Sequence, residues 1–391
     1  MKYNFDEFID RRGTCASKWT DMGVKYGKDD LLPMWVADMD FQAPEEVVQA
    51  VKERAAHGVF GYTTRPESYY DAIVSWMERR HNYKIEKDWI EHAPGVIPAL
   101  NLLVRGLTRP GDKILIQPPV YPPFYEIIKN NGCHVVTSPL KEEQDKYVMD
   151  YEHMEQVLAA EPRIKMFILC SPHNPVGRVW SKEELRKVGE LCLQYDVMVL
   201  SDEIHCDLLL KDNVHVPFTT ISPEMEQNSA IFYAPSKTFN LAGLQSSVII
   251  IPNEKIRAVY QQELEDIHLK RSNIFGMVAT EAAYNHGDAW LDQLMEYIDG
   301  NVDVVMDYVA KIPGIKAFRP EGTYLVWLDC RELGIKAADL KQFMVDKAGV
   351  ALNDGTPFGK EGEGFQRINL ACPRASVEEA MQRIEKAVKN R

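Results

Sequence analysis

The 391-residue chain has no long apolar segment and fewer basic than acidic residues. No stretch approaches the roughly 18 apolar residues that a membrane-spanning helix requires, so we expect no membrane span. The first six residues, MKYNFD, lack the apolar region of a secretion signal. Lys and Arg number 45 against 58 Asp and Glu, and the net charge is −13. Nucleic acid and anionic membranes both bind basic surfaces, so we expect neither as the main partner.

The chain also lacks the patterns of several common sites. Its seven cysteines form no C-x-x-C pair, and most lie in apolar runs, which predicts reduced, buried thiols in a cytoplasmic protein. There is no H-E-x-x-H zinc motif, no G-x-x-x-x-G-K-[ST] phosphate loop and no G-x-S-x-G nucleophile motif. Asp202, His205 and Asp207 have a spacing that invites a metal, but alternation along a strand would separate Asp202 from the other two. We therefore expect no metal site.

From about residue 92 onward, short apolar runs alternate with helical patterns. Runs such as 113–117 and 197–202 have the continuous apolar character of strands that are buried on both faces. This alternation predicts an α/β fold with a mostly parallel sheet, and the length of the chain favours two lobes. We predict an N-terminal arm, 1–44, that packs on the small domain, a large domain, 45–285, and a small α+β domain, 286–391.

One lysine stands alone in a neutral segment. Lys237 is the only Asp, Glu, Lys or Arg between Glu226 and Glu254, and apolar runs flank it on both sides. Burial of an unpaired ammonium costs several kcal/mol, so we expect a shifted pKa or a specific partner. A desolvated, neutral amine can condense with a carbonyl to form a Schiff base. The alternative interpretation is a lysine at an exposed turn.

Polar residues follow four of the predicted strands, at the place where open α/β sheets bind ligands. The segments are Gly95–Ile97 (GVI), Ser171–Pro175 (SPHNP), Ser201–His205 (SDEIH) and Pro235–Lys237 (PSK). They provide an amide-rich turn, an amide side chain, a carboxylate and an amine. Pyridoxal phosphate (PLP) suits such a set, because it needs a Schiff-base lysine and a carboxylate facing its pyridine nitrogen. Lys237 and Asp202 are the natural pair.

Four motifs resemble one enzyme family. They are Trp35–Phe41 (WVADMDF), Gly58–Tyr62 (GVFGY), Ser201–His205 (SDEIH) and Ser236–Asn240 (SKTFN). Their order and spacing resemble the cystathionine β-lyase, or carbon–sulfur lyase, branch of the class I/II aminotransferase superfamily. The chain is similar along nearly its whole length to these fold-type I PLP enzymes. The resemblance implies a large PLP-binding domain, a homodimer with shared active sites and a small-molecule amino-acid substrate.

The resemblance implies a role for each residue around the cofactor ring. Lys237 matches the Schiff-base lysine, and Asp202 matches the carboxylate that pairs with the pyridinium. Asn174 corresponds to the amide that hydrogen-bonds the phenolic oxygen, and Tyr121 to the aromatic ring that stacks on the pyridine. Without the family, Asn174 would be interpreted as a turn residue before proline and Tyr121 as core packing.

Other positions correspond to phosphate and substrate contacts of the family. The backbone N–H groups of Val96 and Ile97, at a helix start, and the hydroxyl of Ser236 would bind the phosphate. Tyr62 matches a tyrosine that reaches the phosphate of the partner subunit. Arg367 matches the arginine that binds the substrate α-carboxylate, a task for which its bidentate geometry is suited. By residue type alone, Tyr62 would be interpreted as a surface or interface residue and Arg367 as a surface cation.

Two positions depart from the aminotransferase pattern. His205 stands where aminotransferases usually have a tyrosine that touches the phenolic oxygen. Gln245 stands where an arginine usually pairs with the phosphate, and this missing cation should weaken phosphate binding unless other donors compensate. The histidine resembles the lyase branch and favours elimination over transamination.

The sequence therefore predicts a PLP-dependent carbon–sulfur β-lyase that cleaves L-cystathionine or related cysteine S-conjugates to a thiol, pyruvate and ammonia. Lys237 is the predicted general base at Cα, and Asp202 and Tyr121 are the other predicted catalytic residues. One alternative is a class I/II aminotransferase. Another is a binding or regulatory protein that keeps the cofactor fold without turnover.

Overall fold

Strands and helices alternate through the middle of the chain in the computed structural model, which describes residues 2–391. The strands are β1 Leu32–Pro33, β2 Ile90–Ala93, β3 Lys113–Ile116, β4 His134–Thr137, β5 Lys141–Glu143, β6 Lys146–Val148, β7 Ile164–Cys170, β8 Met198–Asp202, β9 Ser229–Tyr233, β10 Ser247–Ile250, β11 Leu325–Asp329, β12 Val350–Ala351, β13 Asn353–Asp354 and β14 Phe365–Asn369. The helices are α1 Ser17–Thr20, α2 Met22–Tyr26, α3 Glu45–Ala56, α4 Glu67–His81, α5 Val96–Leu107, α6 Pro123–Asn130, α7 Tyr151–Ala160, α8 Lys182–Gln194, α9 Pro223–Gln227, α10 Pro235–Thr238, α11 Glu254–Asp266, α12 Ile274–His286, α13 Asp288–Val309, α14 Ala337–Phe343 and α15 Arg374–Lys389. Across residues 2–391, no helix combines the length and the apolar character that crossing a bilayer demands.

Within this described part of the chain, seven strands form the central sheet in the order β2-β10-β9-β8-β7-β3-β4. Four of the six neighbouring pairs are parallel, and the two pairs made by β10 are antiparallel. The predicted α/β fold with a mostly parallel sheet is confirmed. Because β7, β8 and β9 run in the same direction, their carboxyl ends lie at one edge of the sheet, with Asp202 opposite Cys170 on one side and Phe232 on the other.

Both faces of the central sheet are covered, which explains the continuous apolar runs in its strands. Side chains alternate across the pleat, so neighbouring residues of one strand enter different cores. Ile114 of β3 packs in the same buried cluster as Phe232 of β9, whereas Leu115 packs in a second cluster. Ile231 of β9 belongs to a third cluster. All four of these side chains are fully buried.

A smaller antiparallel sheet, in the order β11-β14-β13, lies in the C-terminal part of the chain. The N-terminal arm is attached to this part, because β1 pairs in parallel with β12 and places Leu32 opposite Val350. The hydroxyl of Tyr26 also donates a hydrogen bond to the Leu352 carbonyl. The domain boundaries at residues 44 and 285 stay predictions.

Candidate active site

A cavity of about 200 Å³ lies at the carboxyl ends of the parallel strands. Eight of the ten site residues predicted from the sequence line it: Val96, Ile97, Tyr121, Asn174, Asp202, His205, Ser236 and Lys237. Arg367 reaches the cavity wall through a hydrogen bond to Asn174, and Tyr62 does not line the cavity. The eight residues come from five segments at the carboxyl ends of β2, β3, β7, β8 and β9, which the sheet brings together.

Asp202 is the last residue of β8 and lies buried at the cavity. Its Oδ1 accepts a hydrogen bond from the N–H of Ile204 at 3.1 Å. Burial raises the pKa of Asp202 to about 7, although the Ile204 N–H and the nearby Lys237 offset part of the rise. A carboxyl group with so high a pKa has too little positive charge around it to be fully ionised at neutral pH. A cationic group in the cavity would stabilise its ionised form.

Lys237 projects from the one-turn helix α10, which follows the buried strand β9. Its Nζ donates a hydrogen bond to the carbonyl oxygen of Ala37 at 2.6 Å. Burial, followed by repulsion from Arg367, lowers the pKa of Lys237 to about 8, against partial opposition from nearby carboxylates. The amine therefore has both the shifted pKa and the specific partner that its neutral sequence surroundings predict. A substantial share of it is neutral near pH 8 and can act as nucleophile or base.

The start of α5 provides unpaired N–H groups beside this amine. Val96 and Ile97 are the first two residues of the helix and line the cavity. The N–H groups of a first helical turn have no partner within the helix, and they carry part of the positive end of the helix dipole. The hydroxyl-bearing Ser236 lines the same cavity. This combination suits the binding of an anion such as a phosphate group.

Arg367 is a buried cation whose hydrogen-bond partners are neutral. Its Nη1 donates to Asn174 Oδ1 at 2.9 Å, and its Nη2 donates to Asn353 Oδ1 at 2.6 Å and to the Trp35 carbonyl at 3.3 Å. Burial lowers the pKa of Arg367 to about 10, and its Nε has no hydrogen-bond partner within residues 2–391. A buried guanidinium held by neutral acceptors is suited to bind a carboxylate.

His205 lines the same cavity as Asp202. The prediction that strand alternation separates these two residues is wrong, because β8 ends at Asp202 and a turn follows. Burial, then repulsion from Lys237 and Arg367, lowers the pKa of His205 to about 3. The ring is therefore neutral, and its Nδ1 has no hydrogen-bond partner in the described part of the chain. One ring nitrogen thus remains available for a hydrogen bond.

Asp207 does not line that cavity and belongs to a buried cluster with His81 and Cys206. The ligand atoms of the three side chains lie within 4.8 Å of one another. However, His81 Nε2 hydrogen-bonds Asp207 Oδ1 at 2.8 Å, and burial raises the pKa of the Cys206 thiol well above its usual value. These contacts indicate a hydrogen-bonded cluster. The predicted absence of a metal site stays a prediction.

Tyr62 lies in the extended segment between α3 and α4, and 93% of it is exposed. The Arg271 guanidinium lies over its ring, 4.2 Å from the ring centroid, in a cation–π contact. Arg271 and Gln245 together line a second cavity of about 190 Å³, which shares Ser246 with the main cavity. In a single chain, Tyr62 is therefore free to contact another molecule.

Sequence reasoning missed two groups that hold the site residues. The Ala37 carbonyl accepts hydrogen bonds from Lys237 and from the Tyr324 hydroxyl, the latter at 3.0 Å. Ala37 lies within the WVADMDF motif, and that family motif is the one signal that could have pointed to it. Asn353 is placed opposite Arg367 by the pairing of β13 with β14, and no local pattern announces this register.

The model of the family "Aminotransferase class I and II" matches residues 29–384. The chain belongs to this family. It is 45% identical over 386 residues to the cystathionine beta-lyase PatB of Bacillus subtilis, covering 98% of this chain and 100% of that protein. A PLP-bound candidate aminotransferase from Clostridium difficile 630 is 48% identical with a TM-score of 0.97, covering 99% of this chain and 100% of that one. A PLP-bound C-S lyase from Staphylococcus hominis is 35% identical with a TM-score of 0.93, covering 99% and 98% of the two chains. The predicted family and fold are confirmed.

Proposed function

We propose that the cavity binds pyridoxal phosphate. The residues fit this group: the high pKa of the buried Asp202 calls for a cationic ring nitrogen, and the amine of Lys237 has a depressed pKa. The free N–H groups at the start of α5 suit its phosphate, together with Ser236. Asn174 and the neutral His205 line the same cavity and could hydrogen-bond the ring substituents, and Tyr121 could supply an aromatic face. Two of the structural relatives are PLP-bound proteins.

We propose that the protein is a carbon–sulfur β-lyase acting on L-cystathionine or related cysteine S-conjugates. When bound, PLP supplies an electrophilic aldehyde and an electron-withdrawing ring that acidifies the Cα–H of an amino acid. The overall reaction consumes one water and releases a thiol, pyruvate and ammonia. The names cystathionine beta-lyase and C-S lyase of two relatives support this substrate class. The observation that carries the proposal is an amine with a pKa of about 8 in one cavity with a buried carboxylate, next to Arg367.

Each charged residue has a separate task. Arg367 binds the substrate α-carboxylate through its guanidinium N–H groups. Lys237, as a neutral amine, removes the proton from Cα and then returns a proton to the departing sulfur. Asp202, when ionised, would keep the ring nitrogen of the cofactor protonated through the reaction. Tyr121 lines the cavity and would supply an aromatic face to the cofactor ring.

An aminotransferase is the second candidate function, and the C. difficile relative described as a candidate aminotransferase favours it. The two activities differ in their products, since transamination needs a 2-oxo acid and releases no thiol. The test is incubation of the PLP-loaded protein with L-cystathionine, with pyruvate and thiol measured in the absence of any 2-oxo acid.

We expect pyruvate and thiol in equal amounts from the wild type, and none from Lys237→Ala. A matched control is Lys389→Ala, which removes an exposed lysine paired with Glu385 and should keep full activity. If amino transfer requires a 2-oxo acid and no thiol appears, the lyase assignment is wrong. A wild type that binds PLP without any turnover would instead support a binding or regulatory protein.

We propose further that the protein is a homodimer in which Tyr62 reaches the partner's active site. The exposed side chains of Val59, Phe60 and Tyr62 lie next to a second exposed segment that contains Leu269 and Arg271. The rings of Phe60 and Phe275 are in contact, with their centroids 5.8 Å apart, and the Arg271 guanidinium stacks on the Tyr62 ring. These contacts join the two segments. Exposed apolar patches of this kind are typical of protein interfaces.

Mixing two inactive variants tests this arrangement. A hybrid dimer of Tyr62→Ala and Lys237→Ala subunits contains one site with both an intact lysine and an intact partner tyrosine. After subunit exchange at equal concentrations, we expect about a quarter of wild-type activity, because half of the dimers are hybrids with one complete site. Lack of any recovery, with hybrids demonstrated by mass spectrometry, would contradict a tyrosine acting across the interface.

We also propose a cytoplasmic location and three structural parts: the arm, 1–44, the PLP-binding domain, 45–285, and the small domain, 286–391. All seven cysteines carry free thiols, six of them buried, which is typical of a reducing compartment. The β1–β12 pairing supports the packing of the arm on the small domain. Limited proteolysis with mapped cleavage sites would test the boundaries, and cell fractionation would test the location.

A further inference from the structure

The segment after β8 carries a second buried carboxylate, Asp207, that faces away from the cavity. Its Oδ2 accepts a hydrogen bond from Thr238 Oγ1 at 2.7 Å. Its Oδ1 accepts from His81 Nε2 at 2.8 Å and from Trp76 Nε1 at 3.1 Å. Burial raises the pKa of the Asp207 carboxyl group. The hydrogen bond and the charge of His81, together with the hydrogen bond from Thr238, outweigh burial, so the pKa lies below its usual value. Both oxygens thus have donors, and the carboxylate is ionised.

The hydrogen bond from Thr238 to Asp207 connects two segments of the candidate active site, the turn that carries Lys237 and the segment that follows Asp202. Thr238 directly follows Lys237 in α10, a helix of four residues that is too short to be stable alone. Asp207 follows Asp202 by five positions on the segment that leaves β8. The Thr238–Asp207 bond therefore joins the lysine turn to the aspartate segment by a short path outside the cavity.

The other two donors connect this path to the main core. Trp76 and His81 both belong to α4, and Trp76 is fully buried, stacked on Tyr284 with ring centroids 5.2 Å apart. Their N–H groups hold Asp207 against a helix that is packed independently of the cavity. A charged acceptor with two such donors has little freedom to move, and hydrogen bonds to charged groups are the stronger kind.

We propose that Asp207 is a positioning residue that fixes the Lys237 amine relative to Asp202 through the hydroxyl of Thr238. The inference rests on the proposed lyase function. It assigns Asp207, Thr238, Trp76 and His81 to the support of the reacting groups and gives none of them contact with substrate. An error of about 1 Å in the position of a reacting group costs on the order of 100-fold in rate. Loss of the Thr238–Asp207 hydrogen bond should therefore have a measurable effect.

Glu203 provides a matched control on the same segment. It is buried and accepts hydrogen bonds from His215 Nε2 at 2.7 Å, the Tyr233 hydroxyl at 2.6 Å, Ser201 Oγ at 2.8 Å and the Phe218 N–H at 2.9 Å. None of these donors lies in the lysine turn. Glu203→Gln therefore disturbs an equally buried carboxylate network without touching the hydrogen-bond path to Lys237. Because the charge of Glu203 also raises the pKa of the neighbouring Asp202, this variant is the control for turnover and hydrogen exchange and not for the absorbance midpoint.

The test compares Thr238→Val, Thr238→Ser, Asp207→Asn and Glu203→Gln in the full-length PLP-loaded protein. Thr238→Val keeps the side-chain shape and removes the hydroxyl, whereas Thr238→Ser keeps the hydroxyl. We expect Thr238→Val and Asp207→Asn to lower kcat for pyruvate release by about 10- to 100-fold with KM within about twofold. Thr238→Ser should restore most of the loss, and Glu203→Gln should leave kcat within about threefold.

Two readouts do not depend on turnover. The first is the pH midpoint of the visible absorbance of the bound cofactor, which should shift in Thr238→Val and Asp207→Asn and stay in place in Thr238→Ser. The second is amide hydrogen exchange of the peptide 235–241 in cofactor-free protein, which should be about 10-fold faster in Thr238→Val and Asp207→Asn and unchanged in Thr238→Ser and Glu203→Gln. A structural role alone would slow folding or lower stability in all variants without this selectivity.

Unchanged kcat, absorbance midpoint and exchange in Thr238→Val would overturn the inference. So would an equal loss of kcat or equally fast exchange in Glu203→Gln, because it would show a general effect of buried carboxylates. Failure of the proposed function has a different signature: the wild type itself releases no pyruvate or thiol. In that case the absorbance midpoint and the exchange rates still decide whether Asp207 positions the lysine.

Discussion

The Nζ atom of Lys237 donates a 2.6 Å hydrogen bond to the main-chain carbonyl oxygen of Ala37, a residue 200 positions earlier in the chain. The same oxygen accepts the hydroxyl of Tyr324 at 3.0 Å. The N-terminal arm thus supplies the acceptor for the most reactive amine of the site. Any covalent bond formed at Nζ must compete with this hydrogen bond, so occupation of the cavity and contact with the arm are coupled.

The first prediction concerns the reactivity of this amine. In cofactor-free protein, we expect modification of Lys237 by an amine-specific reagent to rise with a midpoint near pH 8, well below the 10.5 of an ordinary lysine. The cause is burial, followed by repulsion from Arg367, so Arg367→Gln should move the midpoint upward. Peptide mass spectrometry after pulse labelling measures both values. A midpoint near 10.5 in the wild type would contradict the desolvated amine.

The second prediction is a pH dependence of stability that originates in Asp202. Its pKa is raised from 3.8 to about 7 in the folded cofactor-free chain, so the folded state binds the proton more tightly than the unfolded state does. The Asp202 carboxyl group therefore does not lower the free energy of unfolding below about pH 4. It lowers that free energy increasingly as the pH rises from about 4 to 7. A shift of this size corresponds to at most about 4 kcal/mol.

The neutral histidines His173 and His205 act in the opposite direction in the same window, because burial lowers the pKa of each. The informative quantity is thus the difference between the wild type and Asp202→Asn in free energy of unfolding, measured by urea titration at several pH values. We expect Asp202→Asn to gain on the wild type as the pH rises from 4 to 7. A difference in free energy of unfolding that does not vary with pH would contradict this prediction.

The third prediction concerns Arg367 as the carboxylate-binding group. Arg367→Gln should lower kcat/KM for L-cystathionine by about 100-fold or more, since loss of one partner of a buried charge pair costs about 2–5 kcal/mol. Arg367→Lys keeps the charge and loses the two-pronged geometry, so an intermediate loss is expected. An amine substrate analogue without the α-carboxylate should be insensitive to both changes. Equal losses with both substrates would indicate a structural effect instead.

The fourth prediction concerns an ion-pair cluster in the N-terminal arm. Lys18 is fully buried and contacts Asp40 Oδ2 at 2.6 Å, and Arg11 bridges Asp40 and Asp38 at 2.8 and 2.7 Å. Asp40→Ala leaves Lys18 without its closest partner and should destabilise the protein by about 3–5 kcal/mol. The control is Asp10→Ala, which breaks an exposed pair with Arg12 and should leave the Tm unchanged. A similar Tm for both variants would contradict the assigned importance of the buried pair.

The sequence alone determined the sheet and much of the site. Continuous apolar runs predicted strands covered on both faces, and β7, β8 and β9 have that property because the runs leave no polar face to solvate. The isolation of Lys237 in a neutral segment predicted a shifted pKa or a specific partner, and the amine has both. Parallel strands end at one edge, so residues such as Asn174 and Asp202 had to meet there once the strands were identified.

Only the tertiary structure decided the contacts that depend on register and on where a strand stops. His205 lies beside Asp202 because β8 ends there, and alternation no longer governs the residues that follow. Asn353 meets Arg367 through the pairing of β13 and β14, and Asp207, in the turn after β8, meets Thr238 of α10. These partners are far apart in the chain or lie in irregular segments. Their meeting is set by the packing of whole elements, which local propensity and periodicity do not encode.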